Sequence, residues 1–215
     1  MQRTKIPWCD YTINPVKGLC PVACSYCYAR RMYKRFKWNP RIEWDEQCLL
    51  DLRKIKEPSR IFVGSTMELF GDWVFGSALS IIFQYVRNYP EHIFIFLTKK
   101  PENLPLEWPD NCWVGVSVTG NGDMTLALTN LANIKATVRF LSIEPLLGQI
   151  GMDDHMSMKG IVDWVILGEQ TRPTVHPHKE WCSEIINASD KASIPVFIKE
   201  PLASYLNIYR QEFPI

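Results

Sequence analysis

The chain has 215 residues, 47% hydrophobic and 22% charged, with a formal net charge of +1. That is enough apolar material for one core, and too even a balance to point to any partner through bulk charge. No apolar run reaches about 18 residues, so no membrane span is expected, and residues 1–8 lack an apolar signal region, which predicts a cytoplasmic protein.

In chain order, residues 8–14 read as a first short strand ending at Asn14-Pro15. A cysteine-bearing loop follows, then a helix over 25–37 and a second over 44–55, where Trp44, Cys48, Leu49, Leu52 and Ile55 share one face. Apolar runs at 60–64, 93–97, 113–118, 138–143, 164–167 and 194–198 read as buried strands. Helices are expected at 77–88, at 123–133 with Asp123 as cap and Met124, Leu128 and Leu131 inward, and at 179–191. Trp181, Ile185, Ala188 and Ala192 share a face of that last helix, and Pro201 opens a closing one. The connections 99–111 and 148–163 look irregular.

Apolar strands alternating with amphipathic helices mean an α/β fold with a parallel sheet covered by helices. A complete eight-fold barrel typically needs about 250 residues. The expectation is therefore one domain over 1–215, a partial (open) β/α TIM-like barrel of about six to seven parallel strands. A doubly wound open sheet is the alternative.

Cys20, Cys24 and Cys27 stand at C-x3-C-x2-C after the first strand. Three thiolates in so short a loop can converge on one metal centre and leave a coordination position open, as in a catalytic site or an iron–sulfur cluster. The other four cysteines, Cys9, Cys48, Cys112 and Cys182, are scattered and read as small buried residues. Polar residues follow each later strand. They are Ser65, Thr66, Met67, Glu68 and Asp72, then Thr98, Lys99 and Lys100, then Ser117 and Thr119, then Glu144, then Glu169, Gln170 and Arg172, then Lys199 and Glu200. Ligands of parallel α/β folds bind at that rim.

The cysteine spacing, with Tyr26 before the last cysteine and a β/α chain after it, resembles the radical S-adenosylmethionine (SAM) superfamily. The stretch Trp8 to Gly18, Phe62-Val63-Gly64-Ser65, Arg139 to Leu146, Trp164 to Glu169, Arg172-Pro173 with His176-Pro177, and Phe197-Ile198-Lys199 resemble more closely the phage-type Gp37/Gp68 (DUF5131-like) family. The superfamily resemblance implies a [4Fe–4S] cluster on Cys20, Cys24 and Cys27, with SAM on the open iron. It implies reductive cleavage of SAM to a 5′-deoxyadenosyl radical and hydrogen abstraction from a substrate. Gly64, Ser65, Thr66 and Glu68 occupy the place where superfamily members hold the SAM amino group, although this segment departs from the usual glycine-glycine-glutamate pattern. Ser117 is placed for the SAM ribose or carboxylate, Glu144 for ribose hydroxyls, and Tyr26 as a shield beside the cluster. The implied partners are a low-potential electron donor of flavodoxin or ferredoxin type and a small-molecule or nucleic-acid-derived substrate.

Two other readings carry weight. Cys9 as fourth ligand would make a non-enzymatic zinc or iron–sulfur module, including one that touches nucleic acid. Arg30, Arg31, Lys34, Arg35 and Lys37 interleave with Tyr28, Tyr33, Phe36 and Trp38, a pattern that suits nucleic acid. At neutral overall charge, a helix with a solvated basic face and a packed aromatic face is the simpler expectation. His176 reads as a polar group on the substrate side. Phosphate-loop and nucleophile-elbow motifs are absent.

Overall fold

The computed structural model describes residues 2–151 and 157–214. In chain order the elements are β1 (Gln2–Arg3), β2 (Tyr11–Ile13), β3 (Val16–Lys17), α1 (Tyr28–Phe36), β4 (Glu43–Trp44) and α2 (Gln47–Leu50). Next come β5 (Arg60–Val63), α3 (Ala78–Arg87), β6 (Ile93–Thr98), β7 (Cys112–Ser117) and α4 (Asn121–Asn133). The last are β8 (Val138–Ile143), β9 (Trp164–Leu167), α5 (Lys179–Lys191), β10 (Val196–Ile198) and α6 (Leu202–Leu206). Among the described residues, no helix is long and apolar enough to cross a membrane.

Seven strands, β2, β5, β6, β7, β8, β9 and β10, pair in parallel and in chain order. A doubly wound sheet needs a point where strand order reverses, and this sheet has none. It curls into a half-barrel, the expected open barrel of six to seven parallel strands. Both edges are covered, which blunts strand-to-strand aggregation. At one end β1 pairs antiparallel with β2. At the other, Ile198 N donates to the Arg210 carbonyl and Glu212 N to that of Val196.

Side-chain alternation divides the sheet into two cores. Ile61, Phe94, Phe96, Val114, Leu141 and Val165 face the helices, while Phe62, Ile95, Trp113, Phe140, Trp164 and Phe197 form a second cluster on the concave face. That second cluster is an aromatic floor. Phe213 stacks on Trp164 at 5.6 Å, and the Arg60 guanidinium lies 4.1 Å from the Phe213 ring centre. Moving along each strand by the two-residue period turns this face polar. Trp113 is followed at that spacing by Gly115 and Ser117, Phe140 by Ser142 and Glu144, and Phe197 by Lys199. The fold thus builds a dry floor beneath a polar rim.

Several local expectations are corrected. The first helix begins at Tyr28 rather than at residue 25, because a turn from Cys27 N to the Cys24 carbonyl and a left-handed Ala23 (φ 54°) keep the loop non-helical. Residues 44–55 are not one helix. Trp44 pairs with Val16 in a two-stranded sheet, and α2 tightens into a 3₁₀ turn, although Cys48, Leu49, Leu52 and Ile55 are all buried as expected. Asp123 does not cap α4. It sits in the first turn and accepts from Thr119 N at 2.9 Å and Thr119 Oγ1 at 2.7 Å. The buried line of α5 is Cys182, Ile185, Ile186 and Ser189, with Trp181, Ala188 and Ala192 only partly covered. Part of the 148–163 connection, residues 152–156, lies outside the described residues.

His92 is fully buried and stacked on Tyr89, and among the described residues neither ring nitrogen has a hydrogen-bond partner. Burial lowers its pKa, opposed by Glu91. The unfolded chain therefore takes up this proton first, at about pH 6.5. His92 leaves stability intact above that pH and erodes it as pH falls toward the folded value. The expected result is that His92→Phe loses less thermal stability than the wild type between about pH 7.5 and about pH 5.5, as read by thermal melts.

Candidate active site

The polar rim encloses a cavity of about 1020 Å³, within the size range of ligand sites. Cys20, Cys24, Cys27, Tyr26, Gly64, Ser65, Thr66, Glu68, Ser117 and Glu144 all line it. So do Lys99, Glu169, Gln170, Lys199 and Glu200 from the later strand ends. Asp72, Lys100 and Arg172 do not line it, and Thr119 belongs to a smaller neighbouring pocket.

The cysteine loop is held from both sides. Gly18 N donates to the Tyr33 hydroxyl at 2.8 Å, and Arg30 donates to the Cys20 carbonyl at 3.2 Å. All three loop thiols are free and partly exposed. Burial raises the Tyr26 pKa, with the neighbouring Cys24 adding to it, so the phenol is neutral beside the thiols. Among the described residues, no three His, Cys, Asp or Glu side chains converge at metal-ligand spacing. The three free thiols of the loop nonetheless line one cavity, and thiolates are the donor type an iron–sulfur cluster takes. Cys9 stands apart from these three. It is buried in the floor, outside the cavity lining, and burial pushes its thiol up to about 12.

The four other cysteines are 0–6% exposed, as expected of small core residues. Burial also pushes the Cys48 and Cys182 thiols up to about 11. The thiolate is the reactive form. Metal-free protein at about pH 8 should therefore be alkylated by iodoacetamide at Cys20, Cys24 and Cys27, while Cys9, Cys48, Cys112 and Cys182 react only on unfolding. Peptide mapping by mass spectrometry reads this directly.

The segment after β5 is fixed by Asn14, a residue that sequence reasoning treated only as a strand end. Its Oδ1 accepts from Thr66 N at 3.0 Å and Thr66 Oγ1 at 2.9 Å. The Tyr28 hydroxyl donates to the Ser65 carbonyl at 2.6 Å, tying this segment to α1. Gly64 has φ +80°, and a Cβ there would meet Leu69 Cδ1 at 2.7 Å. Gly64→Ala is expected to cost about 1–3 kcal/mol in denaturant unfolding, from left-handed strain and overpacking together.

The carboxylates divide into three situations. Glu68 is buried and already engaged with Thr98 Oγ1, Phe70 N and Lys99 N. Glu144 pairs through Oε1 with Lys199, and the space for its side chain exists because Gly168 carries none: a Cβ there would meet Glu144 Cγ at 2.9 Å. Glu169 has a side chain only 1% exposed. His176 Nδ1 lies 2.6 Å from its Oε2, while its Oε1 has no hydrogen-bond partner among the described residues. His176 therefore acts on the rim through Glu169 and does not itself line the cavity. Among the cations, the Lys99 ammonium donates to Ser117 Oγ at 3.1 Å, lies 6.0 Å from the Tyr26 ring centre, and has no carboxylate partner among the described residues. Arg31 donates to the carbonyls of Tyr26, Thr171 and Arg172, joining the cysteine loop to the loop after β9. Long-range partners of this kind leave no local sequence signal, apart from the two-residue spacing that puts Asn14, Lys99 and Lys199 on the concave parity.

The family described as "Protein of unknown function (DUF5131)" matches residues 3–204. The chain belongs to the DUF5131 family. Among curated proteins and among solved structures, nothing matches. In this DUF5131 chain the match covers both ends of the half-barrel, the cysteine loop, and every cavity residue described above.

Proposed function

We propose that this DUF5131 protein is a radical SAM enzyme. The observation that carries the reading is the gathering of ten residues, selected from sequence alone, around one cavity at the carboxyl ends of the strands. Cys20, Cys24 and Cys27 would hold a [4Fe–4S] cluster. When bound and reduced, it supplies the electron that cleaves the SAM sulfonium to methionine and a hydrogen-abstracting 5′-deoxyadenosyl radical. The remaining chemistry belongs to the protein. Lys99, unpaired and anchored by Ser117, offers a cation to the SAM carboxylate. Lys199 fixes Glu144 through Oε1, and Oε2, with no donor among the described residues, is offered to ribose hydroxyls. Glu68 positions Lys99 through the Lys99 amide and does not itself need to meet SAM. Tyr26, neutral beside the thiols, excludes water from the loop. The aromatic floor of Trp113, Phe140, Trp164 and Phe197 closes the far side.

The reading implies a low-potential one-electron donor of flavodoxin or ferredoxin type, and a cytoplasmic setting that keeps the thiols reduced. Its test is anaerobic reconstitution with iron and sulfide. The expected protein is brown, holds about four irons, and yields 5′-deoxyadenosine from SAM and dithionite. A colourless protein with a single zinc and no SAM cleavage would overturn it.

A further inference from the structure

The segment after the cysteine loop departs from the simpler expectation of a packed aromatic face. Phe36 is 52% exposed and Trp38 43% exposed. Helix α1 ends at a left-handed Lys37, and Trp38 N returns to the Tyr33 carbonyl, which folds the Trp38 ring back onto the helix. The result is a continuous ladder. The Arg35 guanidinium lies 5.3 Å from the Phe36 ring centre, Phe36 stacks on Trp38 at 5.5 Å and 23°, and Trp38 meets Tyr33 edge-on at 5.3 Å. Tyr33, Trp38 and Arg41 line the cavity, so the ladder runs from open surface into its mouth.

Charge follows the same segment. The chain has 24 Lys and Arg against 23 Asp and Glu. Residues 11–42 hold seven of those cations and no acid, so the rest of the chain has 17 against 23. Near-neutral bulk charge conceals a basic segment, followed by the cavity-lining Glu43. Arg30 and Arg31 are engaged with backbone carbonyls and Lys17 with Asp45. Lys34, Arg35, Lys37 and Arg41 are exposed, with no carboxylate partner among the described residues.

We infer that this segment binds single-stranded nucleic acid and delivers a nucleotide of it to the cavity. Lysines and arginines neutralise phosphates, and exposed aromatic faces stack unpaired bases whatever their identity. An acidic protein would use the same charges, but it gives no reason for an exposed, pre-stacked Phe36–Trp38 pair at a cavity mouth. The inference names a substrate class for the proposed function, yet the binding itself requires neither cluster nor SAM.

The test is fluorescence anisotropy of dye-labelled RNA and DNA oligonucleotides of about 12 nucleotides, with the full chain at about 50 and 200 mM salt. Binding should weaken with salt. Trp38→Ala should lose about tenfold in affinity with the salt slope unchanged, because it removes one stacked base. The triple change Lys34→Gln, Arg35→Gln and Lys37→Gln should flatten the slope by about two, at about 0.7 per phosphate contact. RNA and DNA arms show which strand is preferred, and either preference supports the inference. All these positions are exposed, and a thermal melt of each variant controls for folding. No binding at low salt overturns the proposal. So does Trp38→Ala binding like wild type, or poly-glutamate competing as well as the oligonucleotide. Oligonucleotide binding without SAM cleavage would defeat the enzyme reading alone and leave this one standing.

Discussion

Replacing any one of Cys20, Cys24 or Cys27 with Ala is expected to leave a folded, colourless protein that yields no 5′-deoxyadenosine from SAM. Folding should survive because the three thiols are partly exposed, and of them Cys20 alone packs against the edge of a core. Iron should be lost because the loop holds only three thiols, and no other cysteine lines the cavity to replace one. A cluster with two thiolates has lost a third of its protein ligands, and second-shell support cannot substitute for a missing one. The contrast is Cys9→Ala. Cys9 is buried in the aromatic floor with Trp8 and Phe62, so its loss is expected to cost about 1 kcal/mol of packing and no iron. Iron content and circular dichroism on the four variants separate the outcomes. Loss of metal from Cys9→Ala would restore the four-thiolate zinc module.

Glu68→Ala should be the most destabilising change at the rim. Glu68 carries one of the buried carboxylates, and it joins two strand ends that are 30 residues apart in sequence. Its Oε1 accepts from Thr98 Oγ1 at 2.7 Å and Phe70 N at 3.1 Å, and its Oε2 accepts from Lys99 N at 2.7 Å. Alanine strands these donors in a buried place. A buried donor left unsatisfied costs about 1–3 kcal/mol, and the shared loop can relax enough to re-solvate part of the set, so a total of about 3 kcal/mol is expected. For a domain of this size that is a fall of about 6–12 °C in Tm. Glu68→Gln should do less harm but not restore stability, since its amide nitrogen turns a donor toward a donor. Calorimetry of both variants checks the order. A Glu68→Ala protein as stable as wild type would show that the carboxylate is not the brace described. Because the Lys99 amide is held by the same carboxylate, the proposed function adds that SAM affinity should fall together with Tm.

Much of this molecule is legible in its residues. Apolar strands at Ile93–Thr98 and Val138–Ile143 and the helix Lys179–Lys191 emerge close to their expected limits, because strong periodicity and β-branched or aromatic content act locally. The cysteine spacing and the polar strand ends are local too, and the two-residue period carries both onto one face. One failure came from a distant partner. Trp44 has the spacing of a helix, yet it pairs with Val16, because a β ladder and the neighbouring core outweigh weak helical propensity.

The sequence by itself determined an α/β half-barrel and the three cysteines at its first strand end, since alternation, turn residues and motif spacing are written within a few neighbouring residues. The tertiary structure alone decided which polar groups are free to act. Glu68 and Glu144 look alike in sequence, but one is engaged by donors from the next strand and the other is held by Lys199, 55 residues away. The same holds for Phe36 and Trp38. Their exposure depends on how the chain after Lys37 turns back, and burial is a property of what packs from elsewhere.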